Sequence, residues 1–256
     1  MGQTMAGDTR FSRTKQFFNS FTDGLGTTNE AVRNVWLEKA LRGIPAGESI
    51  LDAGAGWLRN KPLCAHLRYV SQDLGEYDGK GDGRALQNGA WDTSRIDIIS
   101  DITAIPVADG HFDNVVCSEV LEHVPDPVAA LQELARITKL GGRILLTVPF
   151  MMPSHQTPFY FTSGLSRYWY EHHLRKFRCE IVELSPNGDF YSLLAQEVRR
   201  FPYLYYSLNN RRLGWLPMLL SAAMLIAIRS AQKRSTSSVE IANHGYFVLA
   251  LKQQGT

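Results

Sequence analysis

Residues 49–56 read Ser49-Ile50-Leu51-Asp52-Ala53-Gly54-Ala55-Gly56, an apolar run of strand length that enters a two-glycine turn. A helix is expected beyond the turn. Glycines let the backbone approach a ligand closely, and a helix start offers unpaired N–H groups. By itself the pattern fits a structural turn or a dinucleotide site equally well. The dinucleotide fingerprint requires a third glycine three residues after the second, for close helix–strand packing. Arg59 stands there instead. Asp52, just before the turn, suits a ligand with a positive amino group better than a pyrophosphate.

Outward from this turn, strands and helices alternate. A helix is expected over Asn29 to Arg42, where Ala31, Val32, Val35, Trp36, Ala40 and Leu41 recur at helical spacing and Gly43 follows as a stop. Further strands are expected at Arg68–Asp73, Ile96–Ser100, Phe112–Ser118, Arg143–Pro149, Cys179–Leu184 and Tyr246–Leu251. Between the fourth and fifth strands, Asp126 reads as an N-cap and Pro127 as the first helical residue. Val128, Leu131, Leu134 and Ala135 form the buried stripe, and Gly141-Gly142 reads as the end. Another helix is expected over Ser163 to Lys176. Such alternation implies a parallel α/β sheet, whose ligands bind outside the carboxyl ends of the strands at the switch point. Asp52, Asp73, Asp101, Ser118 and Pro149 all fall at or just past strand ends. Residues 74–95 carry five glycines and no helical period, which marks them as a functional or mobile loop.

Composition bounds the class of protein. The 256 residues are 44% hydrophobic and 20% charged, an ordinary globular balance that excludes a disordered or coiled-coil chain. Three scattered cysteines form no C-x-x-C pair and no disulfide framework. Met1 to Lys15 is polar without a signal-like apolar run, so the expected compartment is the cytoplasm. A net charge of +2 makes no case for nucleic-acid binding. The organisation read from these patterns is a lead-in at 1–28, a core at 29–185, an insertion at 186–243 and a last core strand at 244–256.

Asp73 ends strand two, 17 residues beyond Gly56, where a carboxylate can accept hydrogen bonds from both ribose hydroxyls. Asp101 can accept from an adenine amino group while the Ile102 N–H donates to a ring nitrogen; a turn cap is the plain alternative. Four separated motifs then coincide: Leu51 to Gly56 with Asp73, Ser100-Asp101-Ile102, the run from Phe112 to Val124, and Leu140-Gly141-Gly142-Arg143. Together they resemble class I S-adenosylmethionine-dependent methyltransferases over about residues 30–185. The resemblance implies a doubly wound, seven-stranded, mostly parallel sheet with an antiparallel last strand, and S-adenosyl-L-methionine as cofactor. It implies Gly54 and Gly56 under the methionine part and Asp73 on the ribose, with Asp52, Ala53 and Leu74 also among the cofactor-binding residues. Asp101 and Ile102 would meet the adenine, and Ser118 and Glu119 the sulfonium. Two departures stand out: Leu58 where many members have a third glycine, and no helix between strands two and three.

Methyl transfer to a hydroxyl needs in-line positioning and removal of the acceptor's proton. His155 follows strand five in a loop bounded by Pro153 and Pro158, and is the expected base or orienter. His123 and Tyr160 are expected at the substrate. The run Glu119-Val120-Leu121-Glu122-His123 admits a divalent cation or simply the family's strand-four exit, and the expectation is no metal. Tyr168-Trp169-Tyr170 reads as core.

Residues 213–228 form an uncharged run of 16 with 13 apolar members, short of the ~20 needed to span a bilayer. Between Val198 and Val239 lie Arg199, Arg200, Arg211, Arg212, Arg229, Lys233 and Arg234, with no acidic residue; removing these seven from +2 leaves −5 for the remainder. Two readings stand: a lid over the active site, or peripheral contact of 198–239 with an anionic membrane at its inner face. The expected activity is O-methylation of a glycan-like or lipid-linked intermediate. The alternatives are N- or C-methylation of a small molecule, or a non-catalytic scaffold that binds S-adenosylmethionine. The sequence says nothing of oligomeric state.

Overall fold

The computed structural model describes residues 24–83, 86, 87, 89, 91–235 and 238–254. The expected lead-in at 1–28 therefore lies, up to residue 23, outside the described residues. Contacts divide the chain into two units, Ala31–Asn187 with Asn243–Thr256, and Met1–Glu30 with Gly188–Ala242.

The larger unit is built on seven strands: β1 (Ser49–Ala53), β2 (Arg68–Asp73), β3 (Ile98–Ile99), β4 (Phe112–Ser118), β5 (Thr138–Pro149), β6 (Cys179–Asn187) and β7 (Gly245–Lys252). Their order is β3-β2-β1-β4-β5-β7-β6. Pairs from β3 through β5 are parallel, and β7 lies antiparallel between β5 and β6. The order reverses between β1 and β4, which makes their carboxyl ends the switch point where α/β sheets bind ligands.

Helices α1 (Asn29–Arg42), α2 (Pro127–Ile137) and α3 (Arg167–Lys176) supply the larger unit's helical layers. Strand residues alternate between two cores with period two. Leu51, Val115 and Leu146 pack with Leu131 and Leu134 of α2 and with Tyr170 and Leu174 of α3. Ile50, Val116 and Leu145 pack with Leu37 and Leu41 of α1. Each fully buried leucine contributes about 2 kcal/mol, so both layers are needed to hold the sheet. On α1, Leu37 and Leu41 are the buried residues, whereas the expected Val32 and Val35 are exposed.

The N-cap of α2 is as expected: the Asp126 carboxylate accepts from the N–H groups of Val128 and Ala129, with Pro127 next. Its end differs. The helix stops at Ile137, where the Thr138 hydroxyl donates to the Leu134 carbonyl at 2.6 Å, and Gly141-Gly142 sit inside β5. A Cβ at Gly142 would come within 2.5 Å of the Asp113 carbonyl oxygen, so that glycine serves the close passage of β5 beside β4. Likewise α3 begins at Arg167, because the Ser166 side chain caps it. Residues 74–95 form no helix among those described, and β3 is only two residues long. Cys64, Cys117 and Cys179 are free and buried.

The smaller unit is a pair of helices, α4 (Phe190–Asn209) and α5 (Trp215–Gln232). A capping box starts α4: Asp189 Oδ1 accepts the Ser192 N–H at 2.8 Å, and the Asp189 N–H donates to Ser192 Oγ at 2.7 Å. Asn210, at φ 50°, ends it. Leu25, Ala195, Leu225 and Ile228 form a small core. Gln232 Nε2 donates to Asp189 Oδ1 at 2.9 Å, tying the end of α5 to the start of α4.

Asp52 does not face the switch point. It is buried between β1 and β2, where its carboxylate accepts from the Tyr69 hydroxyl at 2.7 Å and from Asn60 Nδ2 at 3.1 Å. The expectation that it meets a ligand's amino group is corrected: at 1% exposure the carboxylate is enclosed by Tyr69 and Asn60 and supports the turn from behind. Burial, only partly offset by these hydrogen bonds, pushes its carboxyl up to about 6. The unfolded chain releases this proton near 3.9. Between those values the folded chain holds a proton that the unfolded one has lost, so the contribution of Asp52 falls as pH rises through 4 to 6. Over that window the loss amounts to about 3 kcal/mol. Thermal unfolding across pH 4–8 should therefore show Asp52→Asn gaining stability relative to the parent chain as pH rises; parallel curves would refute the buried-acid account.

Candidate active site

Four loops close over the carboxyl ends of β1, β2 and β4. The first is the glycine turn. Gly54 has φ +75°, and its N–H and that of Ala55 donate to the Gln72 carbonyl at 2.8 and 2.9 Å. A Cβ at Gly54 would lie 2.4 Å from Val120 Cγ2. The turn after β1 and the exit of β4 thus interlock, and only glycine permits both the backbone angle and the approach.

At that exit Glu119 adopts φ 57°, a left-handed backbone rare outside glycine. Three contacts hold it there. Its N–H donates to the Thr147 carbonyl at 2.7 Å, its Oε1 accepts from the Thr147 hydroxyl at 3.0 Å, and Arg33 pairs with Oε2 at 2.5 Å. Such over-determination is what keeps a strained residue in place. Arg33 and Thr147 carried no motif; their part emerges only when α1 and β5 flank β4.

Asp73 closes the other side. Oδ2 accepts the Gly56 N–H at 2.9 Å and Oδ1 the Gly75 N–H at 2.8 Å. A carboxylate has about four acceptor positions, so two remain for ligand hydroxyls. Asp101 also does what the plainer alternative described: Oδ1 accepts from the N–H and hydroxyl of Thr103, each at 2.8 Å.

The resulting cavity is lined by Gly54, Asp73, Leu74, Asp101, Ile102 and Glu119, and opposite these by Tyr77, Trp91, His123, Gln156 and Phe159. Ala53 and Ser118 sit behind this wall. Ala53 is fully buried, and Ser118 Oγ lies 2.8 Å from the Thr147 hydroxyl. Gly56 faces Trp91, whose ring would be 2.9 Å from a Cβ there. Trp91 in turn stacks on Trp57, with centroids 6.5 Å apart, and meets Tyr77 edge-on at 5.0 Å. The glycine-rich loop therefore contributes an aromatic wall that its composition did not announce.

Loops 75–91 and 150–160 are stitched together over the cavity. The Gln156 N–H donates to the Leu86 carbonyl at 2.8 Å, and the Asp82 N–H to the Thr157 carbonyl at 3.0 Å. Gln87 Nε2 donates to the Thr157 hydroxyl at 3.0 Å.

Beneath this cover lies a buried polar cluster. His123 lines the cavity, and its ring meets that of His155 at 4.7 Å. His123 Nδ1 donates to the Phe159 carbonyl and His155 Nδ1 to that of Pro153, so a neutral His123 ring has its proton on Nδ1 and none on Nε2. Glu122 is fully buried, neither carboxyl oxygen has a hydrogen-bond partner among the described residues, and Oε1 lies 3.7 Å from His123 Nε2. Burial, reinforced by the charge of Glu119, raises the Glu122 carboxyl well above its ordinary range. Burial, and then His155, lowers the His123 imidazole to about 4, so it is uncharged at neutral pH. One ligand atom from each of Glu122, His123 and His155 can be chosen within 4.8 Å of the others, a spacing that could hold a cation. Glu119 is not in that group, and its Oε2 is paired with Arg33.

Two sequence expectations shift. His155 is 7% exposed and is not among the residues lining the cavity, where His123 is. Tyr160 is turned aside, with its hydroxyl donating to the Met152 carbonyl. Both follow from the pairing of loops 75–91 and 150–160, a long-range contact that no local pattern encodes.

Residues 51–146 match a family model described as a methyltransferase domain. The chain is 34% identical over 106 residues to the ubiquinone biosynthesis O-methyltransferase of Xanthomonas axonopodis pv. citri, covering 40% of this chain and 44% of that protein. It is 33% identical over 105 residues to the demethylmenaquinone methyltransferase of Mycolicibacterium vanbaalenii, covering 41% and 42%. The chain thus spans less than half the length of these curated relatives. Among solved structures, the [4+2]-cyclase SpnF superposes with a TM-score of 0.52 at 16% identity, over 86% of this chain and 81% of that one. Haemonchus contortus phosphoethanolamine N-methyltransferase 2, in complex with S-adenosyl-L-methionine, gives a TM-score of 0.51 at 15% identity, over 93% and 60%. Likeness at this identity shows the fold; a cyclase among the neighbours illustrates that activity is argued from the site.

Gly54→Ala forces either a φ of +75° on alanine or displacement of Val120. The expected cost is roughly 1–3 kcal/mol of stability, read as a lower midpoint in urea. An unchanged midpoint would refute the interlock.

Proposed function

We propose, from the match of residues 51–146 to a methyltransferase-domain model and the resemblance to class I S-adenosylmethionine-dependent methyltransferases, that the chain transfers a methyl group to an oxygen of a lipid-linked acceptor. The observation that carries the methyl-transfer reading is a single cavity at the switch point lined by Gly54, Asp73, Ile102 and Glu119 on one side and His123 on the other. These residues fit the cofactor: a turn whose Cβ-free backbone leaves room, a carboxylate with spare acceptor positions, and a buried apolar side chain at Ile102. When bound, S-adenosylmethionine supplies an electrophilic methyl group on a sulfonium. Asp73 would hold the ribose hydroxyls and Asp101 with Ile102 the base. Glu119, anchored by Arg33, would face the cationic end.

The chain's own part is then positioning, water exclusion and proton acceptance. The paired loops 75–91 and 150–160 and the Trp91–Tyr77 wall exclude water. His123 is neutral, is held by the Phe159 carbonyl, and is the cluster member that reaches the cavity. A proton leaving the acceptor oxygen enters the cluster there, and His155 positions His123 by ring contact. Support for a lipid-linked acceptor comes from two sides. One relative bears the name of a ubiquinone-biosynthesis O-methyltransferase, and the smaller unit exposes a long apolar surface.

Calorimetry with S-adenosylhomocysteine should show binding that Asp73→Ala weakens at least about tenfold, the size of one lost charge-assisted hydrogen-bond pair. Failure of the parent chain to bind overturns the cofactor reading. With methyl-labelled S-adenosylmethionine and a total lipid extract, label should enter the organic phase; label confined to water-soluble products overturns the lipid-linked acceptor, and binding without turnover favours a scaffold role. His123→Ala should lower kcat about 100-fold while retaining S-adenosylhomocysteine affinity. Because His123 is neutral above about 4, its protonation should not limit the rate between pH 5 and 8. An unchanged kcat removes His123 from proton transfer.

A further inference from the structure

The outward face of α5 is apolar from Leu216 to Ala227. Leu216, Leu219, Leu220, Ala223, Ile226 and Ala227 recur at spacings of three and four residues, and all are exposed. On a surface helix this stripe should be polar. The opposite side of the helix is the one that packs: Leu225 and Ile228 are buried with Ala195 and Leu25. Trp215 at the start of α5 is 78% exposed, and Leu208 at the end of α4 is 81% exposed. An exposed apolar surface of this extent marks an interaction site.

Charge says what covers it. Arg211 and Arg212 precede the helix, Lys233 and Arg234 follow it, and all four are exposed. Arg199 and Arg200 are engaged elsewhere, Arg199 with the Leu25 carbonyl and Arg200 with Glu197. The apolar stripe therefore has a pair of cations beyond each end and no acidic residue along it. A bilayer interface presents the matching pattern, an acyl boundary under a layer of anionic phosphates, with tryptophan favoured at the boundary.

Length decides between lying on the bilayer and crossing it. At 1.5 Å per residue, α5 is ~27 Å long, slightly short of a ~30 Å hydrocarbon core. Its last turns are already committed, through Leu225, Ile228 and the Gln232–Asp189 hydrogen bond, to the core of the smaller unit. A helix so anchored has one free face, which suits the plane of the interface.

We infer that α5 docks flat on an anionic membrane, its Leu216-to-Ala227 stripe at the acyl boundary and its flanking arginines and lysine at the phosphates. This goes beyond the methyl-transfer reading and does not rest on it, since membrane attachment is read without turnover.

The test is flotation of the full chain with vesicles of phosphatidylcholine alone and of phosphatidylcholine with phosphatidylglycerol. The chain should float with the anionic vesicles only, and high salt should lower the bound fraction by screening. Arg211→Glu with Arg212→Glu should weaken binding at least about tenfold, given roughly 1 kcal/mol per basic residue near such a surface. Leu219→Ser with Leu220→Ser should weaken it while leaving the circular dichroism spectrum unchanged. Recovery in the unbound fraction with both vesicle types overturns the inference. So does a stable lipid-free dimer that Leu219→Glu dissociates, which would assign the stripe to a second copy of the chain.

Discussion

Val120 packs against the bare Cα of Gly54, and the geometry of the site depends on that contact. It joins the turn after β1 to the exit of β4, the two strands between which the sheet reverses direction. With Val120 so placed, Glu119 must take a left-handed backbone, and its carboxylate meets Arg33 of α1 and Thr147 of β5. One close approach therefore organises four elements around the cavity. Asp52 contributes from behind, as a buried acid that props β1 against β2 through Tyr69.

The second constraint is burial of polar groups under the loop cover. A carboxyl with no hydrogen-bond partner for either oxygen is costly in a protein interior, yet Glu122 sits at such a position, beside two imidazoles whose Nδ1 protons point to backbone carbonyls. Burial raises the Glu122 carboxyl, which favours its neutral form, and Glu122, His123 and His155 make a compact group next to the cavity. An arrangement that is expensive for stability and adjacent to the cavity fits a chemical role better than a structural one.

The smaller unit follows the opposite economy. Its two helices bury only a few apolar residues between them and leave most of the apolar face of α5 in solvent. Self-contained folding does not explain that composition; an exposed apolar surface of this extent marks an interaction site.

Much of this was readable in advance because it rests on local physics. Alternating apolar residues marked the strands, Asp126-Pro127 marked the start of α2, and the strand-end positions of Gly54, Asp73, Asp101 and Glu119 marked the side of the sheet where the cavity opens. Those are consequences of period, capping and chain direction, which neighbouring residues settle among themselves. What the sequence could not decide were the contacts between segments distant along the chain. Arg33 reaches Glu119 across 86 residues and Gln87 reaches Thr157 across 70. His123 lines the cavity as expected while His155 lies outside its lining, and Tyr69 with Asn60 drew Asp52 away from the ligand side. Side-chain direction at such positions is set by which partner satisfies a buried polar atom, and only the assembled tertiary structure brings those partners together.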